Sequence, residues 1–359
     1  MPLTGRIYQH GFGLALSVRG GCLENLCAFS LQDDRVVLRV ERIGVVTSGG
    51  DAPGMNAAIR AVVRIAGSRG VEVVGFERGY EGLIANSCRQ LGPRSVSGII
   101  HLGGTILHTA RCERFKTDEG LLEAAENLRN DDVGGLVVIG GDGSLAGALD
   151  LSRVCETPIV GVPASIDNDI YGTDETIGFD TAVNTAVSEV DKIRDTAISH
   201  ERVFVVEVMG RERGFLALAI GLTVGAESIL VPEVPFDIDV ISNDIMENHR
   251  KGKKSAIIVA AEGVGDNRRL TEMIAEKTGF EVRLSILGYV QRGGNPTARS
   301  RLLASLFGEK AVRLLMDGRR SEVVSIQRNQ IFSSDLEECC RSVKPLDESL
   351  LKLANELAV

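Results

Sequence analysis

The sequence lacks tryptophan entirely and carries only 4 tyrosines and 9 prolines in 359 residues. No C-x-x-C pair occurs among its seven cysteines (Cys22, Cys27, Cys88, Cys112, Cys155, Cys339, Cys340), and no histidine or further cysteine stands at zinc spacing from Cys339-Cys340. That absence argues against a disulfide framework or a structural zinc site and predicts reduced thiols in a cytoplasmic protein. No apolar run approaches the ~18 residues a membrane span needs. The segment Phe12–Val18 is too short for a signal-peptide core and no clean cleavage site follows it. Positive charge is also short: 40 Lys+Arg against 49 Asp+Glu leave a formal net charge of −9, a poor prior for nucleic acid or an anionic membrane. An anionic small substrate stays possible, because local arginine placement matters more than the total.

What is abundant is glycine, 41 residues, and short Val/Ile runs. The length suits two domains or one large one with a sizeable core. Residues 1–40 show no strand–loop–helix pattern and are expected to be a disordered extension or the product of an upstream start codon. From Arg42 onward apolar runs alternate with helical patterns: Arg42–Ser48, Val71–Phe76, Gly135–Ser144 (a strand ending in a glycine loop), Pro158–Pro163, Val203–Arg211, Ser255–Gly263 and Arg283–Gly294. Helices are expected from about Asn56, from near Leu145 and over 297–316. Near-continuous Val/Ile strands between helices predict a doubly wound α/β fold with largely parallel sheets and ligands beyond the strands' carboxyl ends.

Three loops fall at such ends. Gly49-Gly-Asp-Ala-Pro-Gly54 lacks the Lys-Ser/Thr of a Walker loop; it is either a phosphate cradle at a helix N-terminus or a tight turn. Gly140-Gly-Asp-Gly-Ser144 adds a carboxylate, with Asp142 either holding a Mg²⁺ shared with phosphates or capping the helix through an Asx turn. Asp167 and Asp169 form either a proton acceptor with an acidic partner or a solvated polar turn. Arg111, Arg202, Arg211, Arg283 and Arg292 lie at or near strand ends and could supply bidentate phosphate recognition. His10, His101, His108, His200 and His249 form no ligand or nucleophile–base spacing, and Met and Phe residues read as core. Lys251-Gly-Lys-Lys254 reads as a solvated helix end.

Taken in order, the motifs Gly49-Gly-Asp-Ala-Pro-Gly-Met-Asn-Ala-Ala, Gly103-Gly-Thr, Gly140-Gly-Asp-Gly-Ser, Ile166-Asp-Asn-Asp, Met209-Gly-Arg, Pro232-Glu and Gly288-Tyr-Val-Gln-Arg-Gly-Gly resemble the phosphofructokinase A family. The resemblance runs from about Arg42 to the end, nearly ninety per cent of the chain. It implies ATP- and Mg²⁺-dependent phosphorylation of fructose 6-phosphate at its 1-hydroxyl, the committed step of glycolysis. It implies two Rossmann-like domains with the active site between them, 41–178 plus 291–341 for nucleotide and 179–290 plus 342–359 for sugar phosphate. Gly50, Arg111, Cys112, Gly141, Asp142, Gly143 and Ser144 match nucleotide-binding positions, Asp142 also the magnesium ligand. Asp167 matches the catalytic base, Asp169 its acidic neighbour, and Ser165 and Arg211 groups near the transferring phosphoryl. Ile166, Met209, Gly210, Glu262, Tyr289 and Arg292 match further sugar-phosphate positions. Arg202 and Arg283 match arginines that reach the sugar phosphate from a neighbouring subunit, which implies an oligomer, commonly a tetramer.

The resemblance also bears on the phosphoryl donor. Pyrophosphate-using relatives carry Asp where Gly143 stands and Lys where Ala164 stands; an Asp would crowd and repel a nucleotide α-phosphate, so both positions point to ATP. Arg60, Arg64, Arg94, Arg194, Lys251 and Lys253, with Glu227, match a regulatory site for a nucleoside diphosphate such as ADP or for phosphoenolpyruvate. Four departures stand out: Tyr289 and Ser255 where His is usual, Ser300 where Asp is usual, and Ser165, which keeps the hydroxyl, where Thr is usual. Competing readings are a pyrophosphate-dependent phosphotransferase, an NAD or lipid kinase with Gly-Gly-Asp-Gly, and a non-catalytic regulatory paralogue. The last two leave Ile166–Asp169, Met209–Arg211 or the intact acidic residues unexplained.

Overall fold

A computed structural model describes residues 40–358, and the expectation for residues 1–40 falls almost wholly outside that range. The elements run β1 (Arg42–Ser48), α1 (Met55–Ser68), β2 (Glu72–Phe76), α2 (Tyr80–Ile84), β3 (Cys88–Gln90), α3 (Asp118–Asn130), β4 (Gly135–Gly140) and α4 (Asp142–Val154). There follow β5 (Ile159–Ser165), β6 (Ile177–Gly178), α5 (Phe179–His200), β7 (Val203–Val208), α6 (Phe215–Val224), β8 (Ser228–Leu230), α7 (Ile238–Arg250) and β9 (Ala256–Ala261). The last are α8 (Asn267–Thr278), β10 (Val282–Ile286), α9 (Ala298–Met316), β11 (Glu322–Gln327), β12 (Gln330–Asp335), α10 (Leu336–Arg341) and α11 (Glu348–Leu357).

The strands form two sheets. The larger has the order β12-β11-β5-β4-β1-β2-β3 with β6 attached to β5; the smaller has the order β10-β7-β9-β8. Every pairing in the smaller sheet is parallel. In the larger sheet the central strands β2, β1, β4, β5 and β11 are parallel, and antiparallel pairing is confined to β3 and the β11–β12 hairpin. The doubly wound expectation therefore holds for the centre, while the edges are antiparallel. Parallel strands need both faces covered, and β4 obliges: all six of its residues are buried. One apolar cluster covers one face of the larger sheet and continues onto the smaller; separate clusters cover the other face of each.

Helix α1 packs closely on α9, where Gly308 faces Ala61 and the Ala58 carbonyl; a Cβ on Gly308 would come within 2.9 Å of that oxygen. One element departs from the sequence reading in a way that matters. Helix α4 starts at Asp142, not near Leu145, because the Ser144 and Leu145 amides already close onto the Gly141 carbonyl at 3.0 and 3.1 Å. Among the described residues no helix is long and apolar enough to cross a membrane.

Candidate active site

Strands β5, β4 and β1 lie side by side, so their carboxyl ends deliver the three loops to one place. Together they line a cleft of about 770 Å³. Gly50 comes from the first loop and Gly141, Asp142, Gly143 and Ser144 from the second. Ser165, Asp167 and Asp169 come from the third, while Arg111, Cys112, Arg211 and Arg292 close the rim. Twelve of the residues singled out from sequence thus share one cavity.

The glycines of the first two loops allow close approach, Gly50 to an arginine side chain and Gly140 to backbone. A Cβ on Gly50 would sit 2.4 Å from the Arg292 guanidinium, which crosses the loop and donates to the Asp51 carbonyl at 3.4 Å. A Cβ on Gly140 would fall 2.6 Å from both the Ser144 hydroxyl and the Ser48 carbonyl. At the start of α4, Gly141 is the N-cap and offers no side-chain cap. The alternative in which Asp142 caps the helix is thereby set aside: Asp142 is its first residue, and the first-turn amides face a cleft suited to an anion. Burial, then the nearby charges of Asp169 and Glu212, raise the Asp142 carboxyl above its ordinary value.

The carboxylate loop is held from within. The Ser165 hydroxyl donates to Asp169 Oδ1 at 3.1 Å and accepts from the Asp167 amide at 3.2 Å. Asn168, in the left-handed region at φ 54°, accepts from the Thr176 amide at 3.0 Å and donates to the Asp174 carbonyl at 3.1 Å. These bonds leave Asp167 Oδ1 buried and without a hydrogen-bond partner. Burial pushes the Asp167 carboxyl up to about 6, helped by the charge of Asp169 and opposed by Arg292 and Arg211. The reading as a solvated polar turn does not survive this arrangement.

Other predicted residues lie elsewhere. Met209, Gly210 and Glu262 follow the carboxyl ends of β7 and β9 and do not themselves line the cleft, although Glu262 is close enough to raise the Asp167 carboxyl. Ile166 has a fully buried side chain that cannot face a ligand. Arg202 and Arg283 stand at the opposite, amino ends of β7 and β10, both paired with Glu281. Six strand residues at ~3.3 Å each put about 20 Å between them and the cleft of their own chain. Tyr289 is 83% exposed and does not line the cleft. Of the regulatory set, Lys253 pairs with Glu227 at 2.9 Å and Lys251 lines a cavity with Glu227, while Arg194 donates to the Val224 carbonyl beside it. Arg60 and Arg64 on α1, and Arg94, lie outside that cavity.

The sequence reading missed an aromatic wall. Tyr80 and Phe115 stack at 3.8 Å and 7°, and the Tyr80 hydroxyl donates to the Ser144 carbonyl at 2.5 Å, bracing the first turn of α4. Lys116 also lines the cleft. The available signal was that Tyr80 is one of only 4 tyrosines and that Phe115 follows Cys112 by three residues.

The Asp167 carboxyl predicts a stability effect. Its folded value near 6 exceeds the ordinary 3.8, so its proton favours the folded state and that contribution is lost as pH rises through about 6. Asp167→Asn should therefore hold or raise the melting temperature at pH 8 by up to ~4 °C in calorimetry, with the difference shrinking below pH 6. A fall of several degrees at pH 8 would show the carboxylate to be structural.

With this geometry in place, comparison with known proteins is direct. A sequence model described as Phosphofructokinase matches residues 42–315. The ATP-dependent 6-phosphofructokinase of Halalkalibacterium halodurans is 52% identical over 320 residues, 89% of this chain and 100% of the relative. That of Bacillus subtilis is 51% identical over 320 residues, with the same coverage. Among solved structures, a Pichia pastoris phosphofructokinase in the T-state aligns with TM-score 0.80 and 38% identity over 84% of this chain, which spans 35% of that longer one. A pyrophosphate-dependent phosphofructokinase from Marinobacter aquaeolei, at TM-score 0.78 and 23% identity over 88% of this chain and 91% of its own, shares the fold. The alignment of loops, helix start and carboxylates with a match over most of the chain leads to one conclusion: this chain belongs to the phosphofructokinase family.

Proposed function

We propose that this protein transfers the γ-phosphoryl group of ATP to the 1-hydroxyl of fructose 6-phosphate, giving fructose 1,6-bisphosphate and ADP, as a glycolytic enzyme of the cytoplasm. The observation that carries the reading is the buried, unpartnered Oδ1 of Asp167 facing a cleft shared with an uncapped helix N-terminus. Asp167 accepts the hydroxyl proton as the oxygen attacks phosphorus. Ser165 and Asp169 hold that loop, and Arg211 and Arg292 offset charge on the transferring group. The first turn of α4 cradles the nucleotide phosphates, with Gly50, Arg111 and Cys112 around it. Residues 41–178 plus 291–341 then form the nucleotide domain around the larger sheet. Residues 179–290 plus 342–359 form the sugar-phosphate domain, α11 packing on α6 and β8.

The cleft's chemistry fits Mg²⁺. The charge of Asp169 adds to burial in raising the proton affinity of both Asp142 and Asp167, so a cation beside them relieves repulsion. Among the described residues no three His, Cys, Asp or Glu side chains converge on a metal by themselves, which suits an ion held by Asp142 and completed by phosphate oxygens. When bound, Mg²⁺ supplies charge neutralisation on the phosphates.

ATP rather than pyrophosphate is favoured by Gly143, where an added Cβ meets nothing within 4 Å, so the cleft is open at the α-phosphate side. With fructose 6-phosphate fixed, turnover should require ATP and not pyrophosphate. Gly143→Asp should cut kcat/KM for ATP by about 100-fold or more with little loss of stability, since Asp suits a helix's first turn. Asp167→Ser should lower kcat by about 10²–10⁴-fold. Turnover with pyrophosphate instead would reverse the donor assignment.

The subunit is read as part of a homo-oligomer, a tetramer in the simplest case, in which Arg202 and Arg283 complete a neighbour's sugar-phosphate site beside Tyr289. Their position together at the amino ends of β7 and the edge strand β10 supports this, as does the exposure of Ile286 and Val290 close to Tyr289 in the chain. Asp167→Ser and Arg283→Ala proteins, each crippled alone, should regain activity when dissociated and reassembled together; hybrids no better than either parent would sink the shared site.

Lys251, Lys253, Arg194 and Glu227 are read as half of an effector site for ADP or phosphoenolpyruvate, with Arg60, Arg64 and Arg94 coming from another subunit. Titrating either ligand should change cooperativity toward fructose 6-phosphate, and Lys251→Ala should abolish the response. No effect of either on cooperativity or thermal stability would end this assignment.

A further inference from the structure

Lys344 belongs to the segment joining α10 to α11, far along the chain from the carboxylate loop, yet its ammonium is half-buried against that loop. Lys344 Nζ donates to the Asn168 carbonyl at 2.8 Å and to the Asp174 carbonyl at 3.3 Å. On its other side it lies 5.1 Å from the centroid of the Phe215 ring, within range of a cation–π contact. Phe215 is the first residue of α6 and follows Arg211 by four positions. One ammonium therefore touches both the segment carrying Asp167 and the segment leading from Arg211.

The carbonyl it holds is at a decisive place. Asn168 separates Asp167 from Asp169 and is left-handed, so the peptide plane between residues 168 and 169 is set by external bonds rather than by a regular strand or helix. Asp167 and Asp169 repel each other, and Asp167 Oδ1 has no bond restraining it. Rotation of that peptide would let the carboxylates separate and would carry Asp167 away from the attacking hydroxyl. The Asn168 side chain restrains one side of the residue and Lys344 the other.

We propose that Lys344 is a positioning residue for phosphoryl transfer, fixing the Asn168 carbonyl against the Phe215 end of α6 and thereby setting Asp167 relative to Arg211. The inference rests on the reading of Asp167 as the base. It deepens that reading by assigning a task to a residue outside the cleft's lining. The charged groups facing the ammonium are Asp174, Asp169 and Glu175, which favour its charge; burial outweighs them and lowers it to about 8. A cavity of about 410 Å³ beside Tyr171 and Asp174 gives it access to solvent.

The test uses the full-length protein. Absence of ATP-dependent fructose 6-phosphate phosphorylation by the unaltered enzyme would strike the proposed function itself, not Lys344. Given activity, Lys344→Met should lower kcat by about 10- to 100-fold with both KM values within about threefold, the mark of misplacement rather than lost binding. Lys344→Arg should recover kcat to within about fivefold and move the alkaline fall of kcat from near pH 8 to higher pH, because a guanidinium keeps its proton. A Lys344→Met kcat within twofold of the parent, or a change confined to KM or melting temperature, overturns the proposal. If that variant does not fold, the alkaline limbs decide: identical profiles for the parent and Lys344→Arg overturn it.

Discussion

Burying one carboxylate beside another is unfavourable, and the cleft is arranged so that Asp167 tolerates this without being satisfied. The strand order places β5 next to β4, so the loop carrying Asp167 and Asp169 must face the start of α4 with Asp142. Three acids at the ends of adjacent parallel strands would repel in isolation. Arg211 and Arg292 approach from outside these strands and lower the Asp167 carboxyl, while Gly50 leaves the space that Arg292 occupies. The rest of the architecture can be read as the support for that arrangement: closely packed α1 and α9, the Tyr80–Phe115 stack under Ser144, and Asn168 pinned to Thr176 and Asp174.

Much of this was legible in the sequence because phosphate loops combine two local signals, a Val/Ile run and a glycine cluster. Both are contiguous, so β1, β4 and β5 and their loops could be placed without tertiary information. What escaped was either a boundary or a contact between distant segments. The start of α4 was set three residues late because Gly143 is a weak helix former. Its unfavourable propensity is overridden by the closure of the Ser144 and Leu145 amides onto Gly141. The antiparallel edges at β3 and β12 carry no marker that distinguishes them from parallel strands. Tyr80 and Lys344 lie 64 and 176 residues from the groups they hold, at separations where spacing carries no information.

The departures from the family pattern have different physical weights. Ser300 is buried, and its hydroxyl accepts from Thr181 at 2.8 Å, so the residue is integrated into the start of α9. Tyr289 instead projects into solvent, and a phenol there offers a neutral donor where a histidine could carry charge. The first affects packing that is already satisfied. The second changes the charge available to whatever meets that face.

The arginines singled out in the sequence divide between the two ends of the strands. Arg211 and Arg292 stand at the carboxyl ends of the strands and can offset charge within their own cleft. Arg202 and Arg283 stand at the amino ends, where Glu281 neutralises both. Exposed ion pairs of this kind contribute little, typically below ~1 kcal/mol. A bidentate phosphate contact at a partly desolvated interface is stronger and can outcompete them. Glu281 therefore occupies both guanidinium groups with pairs that a stronger anion could displace. Lys253 stands in the same relation to Glu227. In each case a carboxylate of the same chain holds the cations in place, and an anion binding there would have to displace it.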